Sequence, residues 1–105
     1  MYRQGDVLIM PVQSIPVGLD PIGRDGSRVV LAHGEATGHA HTIKAEGAAL
    51  FRTTSNDVYL SVTGDPVALA HDEHDTLIIP PGKYRVVRQR EYAPTAFRNT
   101  RRVAD

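Results

Sequence analysis

Apolar residues in this chain recur in short, β-branched runs separated by turn residues, and the spacing of an amphipathic helix is almost absent. That pattern predicts an all-β domain. "GDVLIMPV" reads as a first strand. "SIPVGLDPIGRDGS", with three glycines and two prolines, reads as a long loop. "RVVLAH" follows as a strand, and "HAHTIKA" continues or follows it. "ALFRTT" and "DVYLSVT" read as two strands turning at Ser55-Asn56. "PVALAH" is another, and "TLIIPPGKYRVVRQREY" gives a strand, a Pro-Pro-Gly turn and a further strand. About seven or eight short strands are expected, in a small sandwich or a partly open barrel. The tail "APTAFRNTRRVAD" forms one helical turn or lies extended.

The two-residue period also says which side chains share a face. Val29, Leu31 and His33 do so, as do His39, His41 and Ile43, and Val67, Leu69 and His71. In each set the histidine falls with the large apolar residues. Gly34 and Gly38 can introduce bulges that break this register, which bears most on His33. His74 has the opposite parity but stands in a turn, where parity no longer fixes direction.

Composition narrows the chemistry. At 105 residues, with 41% hydrophobic and 23% charged, the chain suits one globular domain with a modest core, with a basic tail over about residues 93–105. It has no cysteine, which excludes disulfides and thiolate metal sites. The N-terminus lacks a charged and then apolar leader, and no apolar run is long enough for a bilayer, so a soluble cytoplasmic protein is expected. Net charge is zero but uneven. Lys83 to Asp105 holds seven basic residues against two acids, and residues 1–82 hold five against ten. The tail therefore folds back on the body, pairs subunits head to tail, or contacts nucleic acid.

The candidate chemistry lies in the histidines. All five occur in two short stretches, "HGEATGHAH" (His33 to His41) and "HDEH" (His71 to His74). A His-x-His pair on a strand puts two imidazoles on one side, about 7 Å apart at the backbone and within reach of one ion. Imidazole suits borderline divalent metals. The expected ligands are His39, His41, His71 and His74, with His33 as a further candidate. Glu35 and Glu73 are candidates to orient the rings or to substitute as ligands. Zn, Ni, Fe, Mn or Cu would suit such a set, and the spacing does not choose among them. The competing reading is a metal-free polar network built with Glu35 and Glu73, because a buried unpaired polar group costs about 1–3 kcal/mol.

Two resemblances add to this. "HAHTIKAE" (His39, His41, Glu46) resembles the first cupin motif, and "DTLIIPPGKYR" (Asp75 to Arg85) resembles the second. In cupins a metal-binding histidine follows the Pro-x-Gly by three residues, and here that position is Arg85. The chain as a whole resembles a group of small uncharacterised bacterial proteins sharing "RQGDVL", "GEATGHAH", "HDEH" and "PPGKYRVVRQREY". That resemblance implies that His39, His41, His71 and His74 belong together, with Glu35 and Glu73 beside them.

The expected function is divalent-metal binding, structural if the ligand shell is closed and catalytic if a position is open. The alternative is an interaction module in which "KYRVVRQREY", with Tyr84 and Tyr92 among arginines, meets nucleic acid or a partner protein. Zero net charge and an aromatic content of 6% limit the nucleic-acid reading to weak binding. A metal-dependent enzyme is a third class, but no nucleophile motif or phosphate loop names a reaction.

Overall fold

The computed structural model describes residues 1–33 and 39–89. Ten strands build two antiparallel sheets. They are β1 (Tyr2–Gln4), β2 (Val7–Pro11), β3 (Asp20–Ile22), β4 (Val29–His33), β5 (Ala40–Ile43), β6 (Ala48–Arg52), β7 (Val58–Val62), β8 (Val67–His71), β9 (His74–Ile79) and β10 (Gly82–Arg88). The larger sheet runs β1-β2-β10-β7-β6-β3 and the smaller β4-β5-β8-β9. Both sheets are open, so the architecture is a sandwich and not a closed barrel.

All eight sequence-predicted strands are present, and two more appear. β1 pairs with β2 across Gly5-Asp6, with Gln4 opposite Val7. Gly5 has φ +59°, the left-handed value wanted at the first position of a type II′ hairpin. β3 lies inside the proline-rich loop and pairs with β6, Asp20 opposite Arg52. An edge strand tolerates Pro21 because its outward N–H needs no partner. The β6–β7 hairpin is wider than a two-residue turn. Thr53 N–H donates to the Asp57 carbonyl (2.9 Å), Asn56 takes φ +69°, and the Thr53 hydroxyl accepts from Asp57 N–H (3.0 Å).

The core fills the space between the sheets. Val7, Ile9, Ile43, Leu60, Leu69 and Ile79 are almost wholly buried and come from both layers. β8 shows the expected alternation, with Val67 and Leu69 inward and Ala68 and Ala70 outward. Pro80, Pro81 and Gly82 form no hairpin: β9 and β10 belong to different sheets, and the turn carries the chain from one layer to the other. Tyr84 is buried beside it and donates its hydroxyl to the Pro80 carbonyl at 2.6 Å.

Parity fails in β4. The register with β5 shifts between Val30 and Ala32, so that Leu31 and Ala32 are both buried and His33 is exposed. The bulge sits at Leu31, inside the strand. A second register shift, between Leu69 and His71, interrupts the β8–β9 ladder just before the Asp72-Glu73 turn.

Candidate functional site

Four of the five histidines meet. His41 is on β5, His39 immediately precedes that strand, and His71 and His74 face each other as a cross-strand pair across the two-residue Asp72-Glu73 turn. The His41 and His71 ring centroids are 4.4 Å apart, those of His71 and His74 4.6 Å, those of His39 and His71 5.8 Å, and those of His41 and His74 6.2 Å. Two imidazoles bound to one tetrahedral ion, with metal–nitrogen bonds of about 2.1 Å, would have centroids about 5 Å apart. The observed separations bracket that value. His33 is exposed and makes no ring contact with the other four.

His41 is the anchor. It is 2% exposed, and its Nδ1 lies 2.8 Å from Gln4 Oε1. Gln4 is equally buried, and its side-chain amide donates to the Leu69 carbonyl and to the Asp75 carbonyl, each at 2.9 Å. Those carbonyls flank the β8–β9 register shift. With both N–H groups committed to them, Gln4 presents only its oxygen to His41. The His41 proton therefore resides on Nδ1, which leaves the lone pair on Nε2. Nε2 stands 3.8 Å from Asp6 Oδ1.

Electrostatics keep this imidazole neutral. Its pKa is lowered to about 4, first by burial and then by His71, with smaller lowering from His74 and Arg88 and an opposing pull from Asp6. A neutral ring with a fixed tautomer is the form a metal ligand needs. Around His41, Glu73 Oε1 reaches His39 Nδ1 at 3.5 Å, and the Glu73 backbone N–H donates to His71 Nδ1 at 3.0 Å. The His74 ring lies against Gly5, where a Cβ would come within 2.7 Å of His74 Nε2. Among the described residues, no group of three His, Asp or Glu side chains stands in metal-ligating geometry in this conformation. His71 in particular spends its Nδ1 lone pair on Glu73.

Residues 3–89 match the model of a domain of unknown function, DUF8820. The chain belongs to the DUF8820 family. No curated protein and no solved structure matches it. The DUF8820 match includes all four clustered histidines and most of the strands that carry them.

Of the sequence-predicted residues, His39, His41, His71, His74 and Glu73 converge. His33 stands apart, and Glu35 lies outside the described residues. Gln4 and Asp6 were not foreseen. They lie in β1 and its turn, far from the histidines in sequence, and a glutamine and a turn aspartate carry no signal of their own. The Gly5-Asp6 pair between two short alternating runs was the legible hairpin signal, and it would have placed both residues at one strand junction. Glu46, the residue matching the cupin glutamate, is exposed in the turn after β5. Arg85, at the cupin histidine position, pairs with Asp57 at 3.2 Å. Tyr84 is buried, so it offers no stacking face to a nucleic acid. Within β10, Arg85 pairs with Asp57 and Arg88 with Asp6 (3.1 Å), while Tyr92 and the basic tail over about residues 93–105 lie outside the described residues. No helix among the described residues is long and apolar enough to cross a membrane.

Proposed function

We propose that the histidine cluster binds one divalent transition metal, with His41 as the fixed ligand, His71 and His74 completing the site, and His39 within reach. The observation that carries this reading is the convergence of four imidazoles around His41 and His71, with ring centroids 4.4 to 6.2 Å apart. With its proton on Nδ1, His41 turns a lone pair toward a carboxylate oxygen 3.8 Å away. A proton is disfavoured there, because burial and the neighbouring imidazoles lower the His41 pKa to about 4. A divalent metal can take that lone pair instead, since it binds the neutral imidazole. Loading requires His71 to rotate and release the Glu73 N–H, the step that brings a further nitrogen to the ion.

The test is titration of untagged protein with Zn(II), Ni(II), Mn(II) and Fe(II), read by calorimetry and native mass spectrometry. One metal per chain is expected, lost in His41→Ala and kept in His33→Ala. The Glu73 backbone amide resonance should shift on loading. Substoichiometric metal with all four ions would refute the proposal.

A metal-free polar cluster is the second reading, favoured by the Glu73–His71 hydrogen bond. It expects no metal and an unmoved Glu73 resonance.

A further inference from the structure

Outside the histidine cluster, a groove of about 450 Å³ opens where the smaller sheet's β4 overhangs the β6, β7 and β10 ends of the larger one. Arg52, Arg85 and Arg88 line it, together with Asp57 and an apolar floor that includes Leu31 and Val87. Three guanidiniums face one carboxylate in this lining. Asp57 is engaged by Arg85, and Arg88 is held by Asp6 from the neighbouring turn. Arg52 has no carboxylate partner among the described residues. The Nε–H groups of Arg85 and Arg88 are buried without an acceptor. Buried donors are nearly always satisfied in folded proteins, so two at one groove mark unmet demand for an acceptor. A guanidinium fork matches the paired oxygens of a carboxylate or phosphate.

We propose that this groove binds the oxyanion of a small organic acid or phosphate monoester, with Arg52 and Arg85 holding the charged group and the apolar floor holding the carbon skeleton. The site stands on the arginines alone and goes beyond the metal reading. Its placement nevertheless joins the two. Asp6 spans from Arg88 through Oδ2 to His41 through Oδ1, so a molecule anchored in the groove lies one carboxylate away from the histidine cluster. A small volume with an apolar floor favours a compact molecule over a polymer backbone.

The experiment is an amide and arginine-Nε NMR titration of the full chain, kept under chelator so that metal binding has no part in the result. The probes are inorganic phosphate and malonate. Saturable shifts at residues 85–88 with either anion support the site, and which of the two binds assigns phosphate or carboxylate chemistry. Arg52→Gln should weaken binding about tenfold, the loss of one charged hydrogen-bonding partner. Lys83→Gln, an exposed cation on the same strand, should leave it unchanged. Absence of saturation with both anions into the tens of millimolar would overturn the proposal. So would an Arg52→Gln protein that binds like wild type, or equal weakening by Lys83→Gln, which would mean bulk charge only. Saturation by a short single-stranded oligonucleotide but by neither small anion would also overturn it.

Discussion

The histidine cluster and the arginine groove touch the same carboxylate, Asp6, yet they are built in opposite ways. The cluster is local in origin. A His-x-His step at the start of β5 and a two-residue turn between β8 and β9 supply all four rings, and pairing β5 with β8 is enough to join them. The groove is assembled from Arg52 of β6, residues 56–58 at the β6–β7 turn and residues 85–88 of β10, closed over by β4. Burial keeps His41 neutral, whereas the groove gathers charge at a half-exposed edge. Sites made of adjacent residues survive small shifts in packing. Sites made by two sheets meeting depend on the sandwich being correct.

The contrast is most sharply tested at His41. His41→Ala leaves a cavity and strands the Gln4 oxygen, and should lower stability by about 2–4 kcal/mol, as measured by urea unfolding. If the groove is independent, phosphate binding at residues 85–88 should survive in whatever fraction of this variant remains folded. Loss of both together would mean that the two regions form one cooperative unit.

Acid should act nearly as strongly on the cluster. The folded-state pKa of His41, about 4, lies below its ordinary value of 6.5. The unfolded chain therefore binds the extra proton across that window, and the stability of chelator-treated protein falls as pH drops from about 6.5 to 4. A gap of this size corresponds to about 3 kcal/mol in total, at most about 1.4 kcal/mol per pH unit. Denaturant melts at closely spaced pH values measure it. A flat profile would show that His41 is not held neutral by burial. Above pH 6.5 this contribution is fully present, and the curve should level off.

Gly5→Ala probes the turn that serves both regions. It forces a side chain at φ +59° and drives a Cβ toward the His74 ring. A cost of about 1–2 kcal/mol is expected, with metal affinity reduced because His74 is displaced. Thermal melting and metal titration read the two effects separately, and unchanged metal affinity would remove His74 from the ligand set.

The smallest effects are expected at the margins. His33→Ala and Arg52→Gln each alter an exposed side chain and should change stability by no more than about 0.5 kcal/mol. They differ in function: His33→Ala should leave metal and anion binding intact, and Arg52→Gln should weaken only the anion. A large stability loss in Arg52→Gln would make that residue structural and not part of a binding groove.

Much of this molecule follows from local pattern. β-branched runs with period two define eight strands, and the same parity turns His41 and His71 toward the apolar interior, where the structure places His41 fully and His71 partly. Clustering of the histidines in two short stretches predicts that His39 and His41 meet His71 and His74, because the His-x-His step and the His71–His74 turn each deliver two rings at fixed spacing. Local pattern misleads where a ladder breaks. His33 follows the parity of Val29 and Leu31 on paper, but the bulge at Leu31 turns it out to solvent. Nothing in "RVVLAH" marks that bulge, which shows only in the pairing of β4 with β5.

Tertiary structure alone decided the rest. Gln4 sets the His41 tautomer because the β8–β9 register shift presents two carbonyls to its amide, an arrangement three strands must make together. Asp6 and Arg88, 82 positions apart, meet because β10 lies antiparallel to β2. Arg52, Arg85 and Arg88 face a common groove only once the sheets pack. Side-chain periodicity encodes which way a residue points from its own strand. It carries no information on which strand becomes its neighbour, because that is settled by the burial of Ile9, Ile43, Leu60, Leu69 and Ile79 in one shared core.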